Sequence, residues 1–508
     1  MDKSRTLILN SLANAVNLFS SIAIGVVITP FLIAQLGVDG FGLFATIGAS
    51  GFLFGIFTTT ISQSISRELS FSLGQQKSDL LSRVFSTIFT VQQLVAIVFC
   101  GAFFLSVPRI LDTIQIPTGW ELACEICLYI QVAKFGLAIC TSPFRSLFYA
   151  HQQHGFLAIT GIFTSFVRLL ALVAVVFIEG NPLLVYVSSV FFFSLPVDMA
   201  TILFARKRFP ETRYEFSNFD TKILKSILNY GASSFLLTMS YQIRNQGLIL
   251  FFNVFFGNAV AAAQGISNRV NNVIRSGCQV FANSLQPAIT SSAGADDSLL
   301  TFRLSNLNSA ISSVVAITLV TPFLVDAEAI LRIWLGEYPV LAPTFIRIVC
   351  LTIVTTQISI GQAAAMHAHG RIGLYVAITQ LAILVPFLAS MGFVYFKSLS
   401  AAYVLFGELV GIVVVALSLQ IIWPQVQFSF PTKLWLTDVV FPVLLMIVVT
   451  TFLSLVLSIA VPSGLARAST LGICVTLVGA LIILRTVFSL DERAKFLEII
   501  SRIAKSSN

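Results

Sequence analysis

The stretch AVAAAQGISNRVNNVIRSGCQVFANSLQPA, residues 259–288, decides how the chain is read. It holds two arginines and a row of amides, so a hydropathy window alone passes it over. Its polar residues are nonetheless ordered. Asn268, Asn272, Arg275, Gln279, Asn283 and Gln286 recur at steps of four and three, which is one face of a helix. Arg269 stands one residue beside that face. Without this segment as a membrane span, the two halves of the chain acquire conflicting orientations. With it, they agree.

The surroundings demand a membrane. The chain has 508 residues, 56% hydrophobic and only 10% charged, against about 25% charged in soluble domains. Its mean hydropathy is +0.92. No long polar segment is left for a soluble catalytic domain, so an enzyme on a single anchor is excluded. The apolar stretch Leu7 to Leu36 is too long for a signal-peptide core and lacks a small-residue cleavage site, so it reads as a first span.

About 20 apolar residues cross the hydrocarbon core as a helix. That ruler predicts an all-α integral membrane protein with fourteen spans: 8–33, 41–65, 84–107, 121–149, 156–178, 183–205, 228–256, 259–288, 306–325, 342–367, 373–396, 399–422, 439–461 and 467–488. Even-numbered connections and the termini carry twenty Lys and Arg, Arg145 among them. Odd-numbered connections and their edges carry five: Arg109, Arg332, Arg347, Lys397 and Arg467. This asymmetry places both termini in the cytoplasm. It also accounts for the net charge of +8 without nucleic acid.

The basic connection from Arg206 to Lys225 is the longest piece outside the spans. It predicts a six-helix lobe over 1–210, a second over 211–428, and two further spans with a tail over 429–508. The halves echo one another. Asn10 and Asn229 open spans one and seven, and Gly37 and Gly257 end them. His151 and His154-Gly155 follow span four, as His367 and His369-Gly370 follow span ten. Parallel six-helix repeats of this kind are a transporter signature.

Five cations lie inside apolar runs: Lys134, Arg168, Arg244, Arg269 and Arg275. Each costs roughly 2.5–3.5 kcal/mol if it faces lipid at a helix centre, so most must face a watery or protein-lined cavity. A net basic cavity points to an anionic passenger, and the arginine fork suits phosphate. These five, with Asn268, Asn272 and Gln279, are the candidate substrate-binding residues. The amide stripe has two readings, glue between packed helices or a water-lined surface. Asp198, Glu125 and Glu408 also lie within spans. They either pair with the arginines or bind a driving proton or sodium ion.

The remaining signals are bland. Seven cysteines, including the pair Cys124 and Cys127, sit in apolar runs and read as small buried hydrophobes. The four histidines read as helix-capping or solvated turn residues, with no third ligand near His151 and His154. No metal, cofactor or catalytic centre is expected. Pro30 and Pro287, near span ends, read as terminators or as bends.

Several motifs carry a resemblance. They include Asn10, Pro30, Leu36-Gly37, Phe41-Gly42, Ser66-Arg67-Glu68-Leu69 and Phe256-Gly257-Asn258-Ala259. Further on come Ala263-Gln264-Gly265-Ile266, Asn271-Asn272, Gln286-Pro287 and the segment from Ile330 to Gly336. Over residues 5–425 the chain resembles the O-antigen type polysaccharide repeat-unit flippases of the multidrug/oligosaccharidyl-lipid/polysaccharide (MOP) superfamily. The resemblance implies a flippase for an undecaprenyl-diphosphate-linked oligosaccharide in the bacterial inner membrane. It implies alternating access of two lobes around a cationic central cavity, without a cofactor, driven if at all by a proton or sodium gradient. Expected partners are the lipid-linked substrate, membrane lipids, and the polysaccharide polymerase and chain-length machinery. A lipid II flippase is the nearest rival, and a cation-coupled drug exporter a more distant one.

Overall fold

The computed structural model describes residues 3–486, apart from scattered positions within 53–77 and residues 216–217, 370–372 and 429–430. Side chains are not described for 3–15 and for most of 226–234. The opening amides Asn10 and Asn14, their echo Asn229, and Ser66-Arg67 of the family motif therefore lie outside the described residues. The described part is helical, with no strand. Its helices are α1 (Lys3–Ser50), α2 (Ser78–Thr113), α3 (Glu121–Ala150), α4 (His154–Phe177), α5 (Pro182–Arg208), α6 (Thr221–Gln242), α7 (Leu248–Phe256) and α8 (Asn258–Gly294). They continue with α9 (Ser298–Leu335), α10 (Ala342–Ile358), α11 (Ile360–Ala368), α12 (Gly373–Lys397), α13 (Ala402–Val414), α14 (Gln420–Phe428), α15 (Phe441–Ala460) and α16 (Leu465–Thr486).

Among the described residues, eight helices are long and apolar enough to cross a membrane, and α10 with α11 makes a ninth, bent by 47° at Ser359. The segment 259–288 is not among these nine. It is nevertheless helical throughout, inside the 37-residue α8. At 1.5 Å per residue, that is about 55 Å, ample for a bilayer crossing. Pro30 and Pro287 lie within α1 and α8, so neither ends its helix. Spans seven, twelve and thirteen contain a feature that the periodicity does not predict. Single π turns interrupt them at Ile243–Gly247, Val415–Leu419 and Leu436–Val440.

The surface is inside-out relative to a soluble protein. Leu105, Val176, Phe177, Phe396, Phe452 and Leu477 all stand more than half exposed along the helices. Apolar surface on that scale needs lipid to cover it.

Two compact units emerge, Met1–Ile266 with Glu337–Pro339, and Ser267–Gly336 with Val340–Asn508. The division falls inside α8, whereas the expected lobe boundary is the basic connection at 206–225. The difference arises because the helices after that connection pack back onto the first unit: α7 and the π turn before it against α1, and α6 against α2. Within this unit α1 also packs on α4, α2 on α3, and α5 on both α3 and α4. In the second unit α9 packs on α10, α11, α15 and α16, and α12 on α13.

Each unit ties its helix ends together. In the first, the fully buried Asn253 takes the Gln115 N–H at 2.9 Å and gives its own N–H to the Gln115 carbonyl at 3.3 Å and to Asn258 Oδ1 at 2.7 Å. The backbone N–H groups of Glu215 and Asp220 meet Ser86 Oγ and Thr87 Oγ1 at 3.3 and 3.0 Å. In the second unit Arg347 pairs with Glu328 at 3.4 Å, and Arg467 makes a two-pronged pair with the buried Asp326. Asn306 donates to Asp438 at 3.2 Å.

The internal repeat is visible in the backbone. Gly37 and Gly257 adopt φ 70°, ψ 176° and φ 92°, ψ 177°, a region essentially closed to residues with a Cβ. Each turns the chain abruptly between consecutive helical segments. His151 ends α3 with φ −80°, ψ 9°, and its ring stacks on Phe209 at 4.4 Å. His369 ends α11 with φ −79°, ψ −4°, and stacks on Phe428 at 3.9 Å. Phe209 follows the sixth predicted span by four residues and Phe428 the twelfth by six, so a like ring pair recurs at a like place in each half.

Candidate functional site

The first unit gathers charges from three helices. Lys134 lies on α3, within electrostatic reach of Arg168 on α4 and of Asp198 on α5. Lys134 is exposed, and Arg168 and Asp198 are partly exposed. These helices pack against each other, which is why residues 30 to 60 positions apart converge. Asp198 also binds Arg145 Nη2 at 3.3 Å. Arg145 was expected among the connection charges. Instead it lies within α3, five residues before the helix ends. The signal for it was present: eleven residues separate Arg145 from Lys134, three turns plus about 20°, so both share one helix face.

Arg244 occupies the π turn between α6 and α7. A π turn inserts one residue into the helical ladder and is frequent at functional sites. Here Arg244 Nε points back to the Ser240 carbonyl at 3.4 Å, and Asn245 donates to the Tyr241 carbonyl at 2.8 Å. Nothing in the periodicity of 228–256 marks this break.

The second unit contributes α8 from Ser267 onward. Its buried positions Val270, Ile274, Cys278 and Ala282 step by four. Asn272, Gln279 and Asn283 are exposed, and Asn268, Arg269, Arg275 and Gln286 partly so. Two residues along a helix is a rotation of about 200°, so Asn272 faces away from Ile274. The amide stripe is therefore on an accessible face within this unit. Arg275 Nε donates to Asn271 Oδ1 at 2.9 Å, one turn back. Asn271 is buried and off the stripe. It was not a candidate, yet it orients the guanidinium.

The three acids part company. Asp198 joins the cations. Glu125 and Glu408 sit partly exposed on α3 and α13. The arrangement can therefore do one thing chemically in the first unit: offer Lys134 and Arg145 around one carboxylate, with Arg168 beside Lys134, all three at least partly exposed.

No protein-family model matches the chain, and no curated protein matches its sequence. Its fold does match solved structures. One is a lipid II flippase, MurJ, in an inward closed conformation, with TM-score 0.67 and 14% identity over 94% of this chain and 99% of that one. Another is a multidrug resistance MATE family transporter of the MOP superfamily in an inward-facing conformation, with TM-score 0.65 and 13% identity over 82% and 94%. A third is a MOP superfamily transporter from Pyrococcus furiosus, whose binding pocket is described as having reversed polarity, with TM-score 0.54 and 14% identity over 84% and 93%. At these identities the likeness is one of fold. The chain has the all-helical fold of MOP superfamily transporters.

Proposed function

We propose that the chain is a multi-pass transporter that moves a lipid-linked oligosaccharide diphosphate from the cytoplasmic to the outer leaflet of a bacterial inner membrane by alternating access. The observation that carries this reading is the excess of cation over carboxylate on accessible helix faces inside the spans: Lys134 and Arg168 in the first unit, Arg269 and Arg275 beside exposed amides in the second. The cations would hold the diphosphate, and Asn268, Asn272 and Gln279 the sugar hydroxyls. Arginine favours phosphate because its planar fork bonds two oxygens at once. Both termini would be cytoplasmic, as the Lys and Arg asymmetry requires.

The test is export in cells. Arg275→Ala and Arg244→Ala should each lower surface polysaccharide by about tenfold or more, as expected for loss of a charged contact to phosphate. Full export by the double variant would sink the role given to these arginines.

A second reading, a lipid II flippase, has a specific observation behind it. The MurJ match covers 94% of this chain and the MATE match 82%, a gap about the length of two spans with their connection. Rescue of cells depleted of their own lipid II flippase would favour it. A cation-coupled exporter would instead need Asp198, Glu125 or Glu408 and tolerate loss of the arginines.

A further inference from the structure

We propose that Asp198 is a built-in stand-in for the passenger's phosphate, and that Arg145, which it occupies, is a further phosphate-binding residue. The inference rests on the proposed function above and adds a step to it. The geometry of the pair is the first argument. Arg145 Nη2 meets Asp198 Oδ1 at 3.3 Å through a single contact, although a guanidinium and a carboxylate can form two parallel bonds. The Arg145 side chain stays 45% exposed and that of Asp198 17%. A pair that is closed to solvent and fully bonded leaves no room for a competing anion. The Arg467–Asp326 pair of the second unit is such a case: two-pronged, with side chains 12% and 2% exposed.

The second argument is charge. Lys134 and Arg168 repel one another, and Asp198 attracts Lys134 while it binds Arg145. One carboxylate on α5 thus faces two cations of α3, Arg145 and Lys134, with Arg168 of α4 beside Lys134. It keeps the empty site from self-repulsion, yet it cannot neutralise it. A diphosphate brings at least two negative charges and more acceptor oxygens, so it can take Arg145 from the carboxylate. Position supplies the third argument. Arg145 is three turns nearer than Lys134 to the end of α3 that carries His151, about 16 Å along the axis. By the orientation proposed above, that is the cytoplasmic end. An incoming headgroup would displace Asp198 from Arg145 first and meet Lys134 and Arg168 deeper in.

The experiment uses the full chain purified in detergent, with farnesyl diphosphate as probe, farnesol as neutral control, and thermal unfolding read on every variant. Asp198→Asn keeps the shape and removes the competing charge, so it should bind the probe about fivefold more tightly. Arg145→Gln should bind about tenfold more weakly, with Arg145→Lys recovering part of the loss. Binding by Asp198→Asn that is unchanged or weaker overturns the stand-in role, and so does a variant that no longer folds, because a displaceable carboxylate is not needed for packing. Unchanged binding by Arg145→Gln overturns the role of Arg145. Each of these leaves the proposed function standing. Failure of the unaltered chain to bind farnesyl diphosphate above the farnesol control overturns that function and this inference together.

Discussion

At the residue scale the clearest chemistry outside the spans is the clasp between His151 and Glu211. His151 Nε2 and Glu211 Oε1 are 2.6 Å apart, and the imidazole lies flat on Phe209. Burial pushes the Glu211 pKa up, but the hydrogen bond to His151, a backbone hydrogen bond and the imidazole charge outweigh it and hold the carboxyl below its ordinary 4.5. A carboxyl lowered by folding contributes stability above its unfolded value and loses that contribution as pH falls through the folded one. Glu211→Gln should therefore lower the unfolding temperature at pH 7 by about 1–3 °C. The gap should shrink as pH falls below the ordinary carboxyl value of 4.5 and close once pH passes the lowered folded one. A gap that widens in acid would contradict this account. The pairing itself was not legible in the sequence. His151 read as a residue whose ring caps a helix or meets water; it does stand at the end of α3, but its ring partners come from a connection some 60 residues on.

At the element scale α8 tests the two readings of the amide stripe. Its periodicity was visible in residues 259–288 because one helix face is a local property. Whether that face is dry or wet is not local. The exposure of Asn272, Gln279 and Asn283 within their unit favours the wet reading. The triple substitution N272L/Q279L/N283L should then leave the unfolding temperature within about 2 °C of the parent, as surface changes do. Surface polysaccharide, measured by lectin or antibody binding, should fall severalfold. Ile274→Asn on the buried face should do the reverse, lowering stability by about 2–4 kcal/mol. A triple variant that unfolds would make the stripe interhelical glue instead. The π turns show the opposite limit of sequence reading. Arg244 was picked out as a buried cation, yet its place on an inserted turn follows from how α6 and α7 pack on α1 and α2, and no residue type announces it.

At the scale of the whole molecule the Lys and Arg asymmetry predicts which connections face the cytoplasm. It puts Glu337 outside and Asn218, in the basic connection, inside. Cysteine labelling in intact cells checks this. Glu337→Cys should react with a membrane-impermeant maleimide, and Asn218→Cys only after permeabilisation. The native thiols interfere little, since Cys124, Cys127, Cys278 and Cys350 are buried and Cys100, Cys140 and Cys474 half-buried. Reversed labelling would invert the proposed direction of transport.

Apolar run length, charge asymmetry and the echo between halves determined by themselves that this is a helical membrane protein with a repeated topology. They also located the turns at Gly37 and Gly257 and the cations within the spans. These are properties of one helix or one loop, written within about 30 consecutive residues. Only the tertiary structure decided which of those residues meet: Asp198 with Arg145, Arg275 with Asn271, Asn253 with Gln115, and α6 and α7 with the first unit. The physical reason is that a helix presents every side chain to some direction. Which direction faces a neighbour is set by rotation and packing against helices tens to more than a hundred residues away.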